Sequence, residues 1–484
     1  MNFLADAPAD NVPDPASGVA PAGAPGPRRR RVPAVVWWIT ALHLSLLLAY
    51  SILMPTYRAP DEPLHDDLSH NFSVTFHYPA WNKRDTGVGI LNSMTAAHFG
   101  HEQHLEAADA PTRSSRRSLE ALDKFSRPRG INQLPQHPPL YYAASGTLER
   151  GAEIITRDPT PHYDVEAWFY RLVSILFVAP LPLIIWAIGR RLALPRPVGV
   201  AACLVPLAIP QYLHNGSAAN NDSLMWLFFW VSSLLVLRLA DGDVRPSTAA
   251  LAGLVTGLAL YTKGFAIVLP IWVLAGLVIS LRRLGRDALG RLTRAGLVYS
   301  GVAFVFGGWW WVMNLVHYHQ LLPTRYNDLV PPVQTHVRSY GGFFRTWATI
   351  TTRRFWGDFG WFDVHISPNV VTAATVVVLV GIGVCVLRRD RVAGSPIGDR
   401  LLLAAPILLL MSIQFALAFR AYVRLGRMPG LQGRYWFGAL AALAVVVALG
   451  LANVAPKAIR YLPVAVLAAA VAMNLVGMST ILGF

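Results

Sequence analysis

Long, nearly uncharged apolar blocks recur along this chain, and they leave few folds open to it. Each block runs for roughly 17–25 residues, the length that crosses a hydrocarbon core as a helix. Barrel strands would give shorter, alternating segments, and none are visible. A soluble chain of this size would not carry 54% hydrophobic and only 14% charged residues. The fold class is therefore all-α, a polytopic transmembrane helical bundle. The blocks predict eleven spans, at 33–54, 167–189, 198–213, 222–239, 247–262, 264–281, 295–315, 367–387, 401–421, 435–452 and 461–482. The third and fifth are short. Prolines 180, 182, 206 and 210 lie in or near spans, where neighbouring helices satisfy the freed carbonyls.

Two domains follow. Residues 1–32 form a cytoplasmic tail rich in Ala, Pro, Gly and Asp that ends in Arg28–Arg31, and such a segment cannot bury a core. Residues 33–484 form the membrane domain. Its first block is too long for a signal-peptide core and reads as an uncleaved anchor. Arg190, Arg191, Arg196, Arg238, Arg245, Arg282, Arg283, Arg388, Arg389 and Arg400 fall in short loops on one side, whereas loops 214–221 and 262–263 hold only Lys263. That asymmetry predicts a cytoplasmic N-terminus in the cytoplasmic membrane and two long extracytoplasmic loops, 55–166 and 316–366. The net charge of +15 is thus a topology signal facing membrane lipids, and nucleic acid is not an expected partner. Cys203 and Cys385 lie inside spans, so neither a disulfide nor a cysteine metal cluster is expected. One outer segment, 420–434, breaks the charge rule with Arg420, Arg424, Arg427 and Arg434. An anionic ligand explains it, as would pairing with Asp61, Glu62 or headgroups.

Several outer-side groups carry possible chemistry. Asp61-Glu62-x-x-His65-Asp66 puts carboxylates at the water edge between Pro60 and Pro63, where one could take a proton from an attacking hydroxyl. A solvated acidic turn and a divalent cation site are the alternatives; no second ligand set with clear spacing accompanies it. His137-Pro138-Pro139-Leu140-Tyr141-Tyr142 projects a histidine from a stiff turn or simply redirects the chain. Asn221 and Asp222 open a span, where helix capping is the plainer role for Asp222. Lys263 either snorkels to the surface or meets a phosphate. Trp309–Trp311 and Asn314 fit an aromatic belt, and Arg353-Arg354-Phe355-Trp356 fits an interfacial helix. Gln432-Gly433-Arg434-Tyr435 offers a planar guanidinium fork beside accessible backbone. No glycine-rich nucleotide loop follows a strand, so a sugar donor would be lipid-borne.

Together, Pro60-Asp61-Glu62 with His65, the His137–Tyr142 stretch, Asn221-Asp222, Lys263, Trp309–Asn314, Phe355–Trp361 and Gln432–Tyr435 resemble the GT-C superfamily of membrane glycosyltransferases. More closely, the chain resembles a bacterial family of uncharacterised predicted membrane proteins grouped with it. The resemblance implies a GT-C-like fold with a cleft on the extracytoplasmic side. It implies transfer of a sugar from a polyprenyl-phosphate donor to a glycan or glycolipid acceptor of the cell envelope. Asp61, ahead of Glu62, would be the base. Arg434 and Lys263 would contact donor phosphate, with His65, His137, Tyr141, Asn221, Asp222, Asn314, Arg353, Arg354, Gln432 and Tyr435 around the substrate. The charged stretch holding Arg113, Arg116, Arg117 and Glu120 departs from the family pattern. No protein metal ligand is assigned; a divalent cation is compatible but not required. The competing readings are a flippase for a lipid-linked saccharide, which would want charge deep in the bundle, and a non-catalytic envelope-assembly protein.

Overall fold

The protein is described by a computed structural model covering residues 31–97, 112, 115–125, 130–157, 160–323, 333 and 338–483. The tail expected at 1–32 lies outside the described residues, apart from its last two positions, as do parts of both long loops. Among the described residues, nine helices are long and apolar enough to cross a membrane: Ala34–Leu53, Tyr163–Arg191, Asp222–Ala240, Gly264–Leu284, Arg286–Tyr318, Pro368–Leu387, Ile397–Leu425, Gly433–Val454 and Pro456–Leu482. All nine coincide with expected blocks.

The two short blocks differ from expectation. The third is a pair of helices, Arg196–Ala208 and Pro210–Gly216, bent by 72°. Pro206 and Pro210 explain the break, because each removes a backbone donor and crowds the preceding turn. The fifth is Pro246–Leu260, which at 15 residues reaches about 22 Å. Among the described residues the uninterrupted candidate spans number nine, or ten if the bent pair crosses as one. Small residues let some helices touch backbone to backbone. A Cβ on Gly450 would fall 1.8 Å from the Gly381 carbonyl oxygen. Close approach of this kind drives helix association where lipid gives no hydrophobic incentive.

The first long loop is built on helices rather than coil. After α1 (Ala34–Leu53), the chain forms α2 (Glu62–Thr75), α3 (Val88–Ala96), α4 (Leu119–Asp123) and α5 (Leu140–Thr156) before α6 (Tyr163–Val178). Helix α2 lies tightly on α5. Ser69 and Ser145 share a hydrogen bond of 2.7 Å, and a Cβ at Gly146 would meet the Ser69 carbonyl at 2.5 Å. Asp67 fixes the loop to α2, accepting two hydrogen bonds from Arg84 and one each from the Gly87 amide and Asn132. The second loop carries the expected aromatic helix, Tyr340–Trp356, then a hairpin of β1 (Asp358–Phe359) and β2 (Val364–His365), pairing Asp358 with His365 and Phe359 with Val364. Arg58 reaches Asp363 at 2.7 Å and the Trp361 indole donates to the Tyr57 carbonyl, so the two long loops meet.

The bundle has chemically distinct ends. Helix Asp222–Ala240 is about 28 Å long. Near its last turn, Arg238 and Arg245 hold Asp243, and Arg283 bridges Asp241 and Asp399. At its first residue, Asp222 belongs to a different charge cluster that draws on both ends of the sequence.

Candidate functional site

Asp61 sits between Pro60 and α2 with φ 65° and ψ 0°. That left-handed conformation is tolerated by Asp and Asn better than by other side-chain-bearing residues. It turns the chain sharply, so adjacent carboxylates part company. Asp61 faces Arg434, which donates at 2.7 Å to Asp61 Oδ2 and at 3.2 Å to the Pro60 carbonyl. Glu62 turns into the protein and is fully buried.

Arg434 is shared. Its Nε lies 3.3 Å from Asp222 Oδ2, and Lys263 Nζ lies 2.8 Å from Asp222 Oδ1. Lys263 also donates to Asn221 Oδ1 at 2.9 Å. Asn221 then leads through the Tyr142 hydroxyl, 3.4 Å away, to His65 Nδ1, a further 3.0 Å on. Two carboxylates thus meet two cations in a buried, balanced cluster. Asp61 alone has substantial exposure, with 21% of its side chain accessible against 4% or less for Asp222, Lys263 and Arg434. Burial and the nearby Lys263 and Arg434 charges hold His65 well below the usual imidazole range, and they do the same for His137.

Asp222 does not cap its helix. Asn220 does so instead, its side-chain oxygen accepting from the Ser223 amide at 3.2 Å. The plainer expectation for Asp222 is corrected: its carboxylate is spent on Lys263 and Arg434.

A cavity of about 770 Å³ lies alongside. Gly264 and Tyr435, the residues directly after Lys263 and Arg434, form part of its wall, with Phe265 and His137. Tyr435 stacks on Phe265 with ring centres 4.3 Å apart. Leu322, Ile413 and Leu417 make part of its lining greasy, and the exposed Arg420 and Arg424 continue the helix face that carries Ile413 and Leu417. Neither arginine makes an ion pair among the described residues.

Other expected site residues serve structure. Glu62 is clasped by Arg171, which donates at 2.7 Å to Oε1 and 2.8 Å to Oε2 and also to the Ser51, Met54 and Pro55 carbonyls. The amides of Tyr57 and Ala219 complete its partners. No oxygen of Glu62 is left for a substrate. Tyr141 is buried and bonded to Ser174, away from the cavity wall. Asn314 closes its own helix end on the Leu321 carbonyl. Arg353 and Arg354 converge on Asp358, 3.1 and 3.2 Å away, which also holds His365. Arg354 also donates to the Leu431 carbonyl, which ties that cluster to the Gln432–Arg434 turn. The Gln432 carbonyl accepts from Gln414 at 2.8 Å. Sequence reasoning passed over Tyr142, a link between His65 and Asn221, and the function of Arg171. A lone arginine inside an apolar block is itself a signal of a buried partner.

Gly433 lets the turn that carries Arg434 pack directly on the backbone of Arg354 and Phe355. A Cβ there would stand 2.3 Å from the Phe355 amide nitrogen and 2.5 Å from the Arg354 carbonyl oxygen. Gly433→Ala is expected to cost about 1–3 kcal/mol through overpacking against backbone that cannot yield. The readout is the thermal midpoint of the purified protein in detergent. A midpoint equal to wild type would show that the two segments separate without penalty.

Comparison with known proteins places these observations in context. A profile of the family described as "Predicted membrane protein (DUF2142)" matches residues 44–447. No curated protein matches the chain. Among solved structures, ArnT from Cupriavidus metallidurans bound to undecaprenyl phosphate aligns with a TM-score of 0.37 and 15% identity, covering 88% of this chain and 78% of that one. The same enzyme in the apo state gives a TM-score of 0.36. The Archaeoglobus fulgidus oligosaccharyltransferase, in complex with Zn and sulfate, aligns with a TM-score of 0.41 and 12% identity over 92% of this chain. This chain spans about half the length of that transferase, 53%.

Proposed function

The chain belongs to the DUF2142 family of predicted membrane proteins, and from that premise we propose that it is a membrane glycosyltransferase using a polyprenyl-phosphate-linked sugar. The observation that carries the reading is a partly exposed carboxylate, Asp61, paired with Arg434, whose neighbour Tyr435 lines a greasy cavity together with Arg420 and Arg424, which make no ion pair among the described residues. A polyprenyl-phosphate sugar has matching parts: an apolar chain, an anionic phosphate and a polar sugar. The chain would lie along Leu322, Ile413 and Leu417, and the phosphate at Arg420 and Arg424. The sugar would then point past Tyr435 and His137 toward Asp61.

In the reaction, an acceptor hydroxyl oxygen attacks the anomeric carbon while Asp61 takes the hydroxyl proton. The bond from that carbon to the phosphate oxygen breaks, and polyprenyl phosphate leaves with the electron pair. Arginines near the phosphate stabilise the developing charge. Arg434 would act as a governor on the base. A carboxylate paired with guanidinium is a poor proton acceptor, and a sugar hydroxyl that hydrogen-bonds to Arg434 would free it. We further propose that this end of the bundle faces away from the cytoplasm, with the paired arginines at the other end facing in, as the distribution of Arg and Lys favours. The flippase reading draws less support, because the charge cluster gathers at a helix start rather than at mid-span.

The test is reconstitution in nanodiscs with polyprenyl-phosphate sugars, following free polyprenyl phosphate by mass spectrometry. Wild type is expected to release it in the presence of acceptor. Arg420→Ala combined with Arg424→Ala is expected to weaken donor binding by roughly 10-fold or more, since charge-assisted hydrogen bonds to phosphate are lost. Donor binding unaffected by the double change would count against this cavity as the carrier site.

A further inference from the structure

A second cluster lies further along α2, more than two helical turns past Asp61. His70 on α2, Glu149 on α5 and Glu166 on α6 each offer one ligand-type atom, and these atoms all lie within 4.8 Å of one another. His70 Nδ1 is 2.7 Å from Glu166 Oε1. Tyr170, one turn after Glu166, donates its hydroxyl to Glu149 and lies 3.4 Å from Glu166. The helices bring these groups together for a simple reason. Glu149 follows Ser145 by four residues, so it shares the α5 face that meets Ser69 on α2. His70 is the next residue along α2.

Among the described residues, the carboxyl groups here outnumber their cationic partners. Glu149 and Glu166 are each 4% exposed, and Glu149 Oε1 has no hydrogen-bond partner. Asp66 precedes His70 by four residues on the same face of α2, is 1% exposed, and leaves both carboxylate oxygens without a partner. Arg171, the buried cation of this region, is committed to Glu62 and three carbonyls. Three buried carboxylates therefore face one imidazole. Buried charge of one sign is expensive unless an ion of the other sign joins it.

We propose that His70, Glu149 and Glu166 bind a divalent first-row cation of the zinc or manganese kind, which clamps α2 to α5 and α6. One imidazole nitrogen with two carboxylates suits such ions better than magnesium, which prefers oxygen ligands and retained water. The His70 side chain is 31% exposed and marks the route of entry. Asp66 places a third buried carboxyl behind the ligands. Because α2 starts at Asp61, the clamp would steady the helix that presents the carboxylate. The site is separate from the cavity and stands whether or not the protein transfers sugar.

The test uses the full-length protein in detergent, purified without chelator. Elemental analysis is expected to find about one zinc or manganese per chain. After stripping with EDTA, adding ZnCl2 or MnCl2 is expected to raise the thermal midpoint. His70→Ala, at a partly exposed position, is expected to lose at least about 10-fold in metal affinity and most of the midpoint shift. Glu149→Gln should do the same, and if it does not fold, His70→Ala decides alone. Asp61→Asn should retain the metal, which separates this site from the proposed catalytic one. A stripped wild type that takes up neither ion stoichiometrically, or a His70→Ala protein that binds like wild type, overturns the proposal.

Discussion

Asp61→Asn is expected to reduce sugar transfer by about 10²- to 10⁴-fold while leaving the protein folded and at normal abundance. That is the usual worth of a general base. The substitution is well posed because it keeps the backbone conformation and the hydrogen bond to Arg434. Asn accepts the left-handed backbone at φ 65° nearly as well as Asp does. Its amide oxygen can still receive the Arg434 hydrogen bond, while Asp222 is left to balance both Arg434 and Lys263, so the thermal midpoint is read beside activity. Asp61→Ala is a poorer experiment: it adds backbone strain of roughly 1 kcal/mol and strips the guanidinium of a partner. The measurement is the envelope glycan profile of a deletion strain rescued with each variant, normalised to protein level, together with polyprenyl phosphate release in nanodiscs. Full glycan output from Asp61→Asn at matched abundance would remove this carboxylate from the chemistry and favour a flippase or a scaffold.

Much of the architecture was legible in the sequence, because crossing a membrane is a length requirement that apolar blocks state openly. The resemblance to a family of predicted membrane proteins, read from scattered motifs, is borne out by the profile match over residues 44–447. The spans that departed from expectation were the short, proline-bearing ones, where composition cannot say whether a helix bends. The site was legible only in outline. Asp61 and Arg434, 373 residues apart, do meet. Sequence could not reveal that Lys263 and Asp222 neutralise this pair, since a charged residue at a helix end points equally well to lipid, water or protein. Only the family resemblance places Asp61 ahead of Glu62; for a similar reason the local sequence does not separate them. Neighbours at the start of a helix point about 100° apart, and only the packed α6, with Arg171, decides which one turns inward. Arg353 and Arg354 had their partner in plain view at Asp358, yet the shared aromatic surroundings drew attention to lipid instead.

That division of labour between the two carboxylates gives the largest expected effect on stability. Arg171 is 5% exposed and Glu62 is fully buried, and their two parallel hydrogen bonds join α6 to the start of α2. Breaking a buried pair from one side leaves the other charge without compensation, at a cost of about 3–5 kcal/mol. Arg171→Met is thus expected to lower the thermal midpoint sharply and to reduce yield. Glu62→Gln should be milder, because its one amide oxygen still accepts from Arg171 and the guanidinium keeps the Ser51, Met54 and Pro55 carbonyls, although the amide nitrogen cannot accept as the second carboxylate oxygen does. The double change Glu62→Met with Arg171→Met is informative. It removes both charges and fills space, so it should recover part of the loss seen with Arg171→Met alone. Recovery should stop short of wild type, since three carbonyls and the Tyr57 amide lose the groups that satisfied them. A thermodynamic cycle over these variants, read by unfolding in detergent, yields the coupling directly. Coupling below about 1 kcal/mol would mean the pair is no more than a surface contact in energy, and the orientation of Asp61 would then have to come from Pro60 and Arg434 alone.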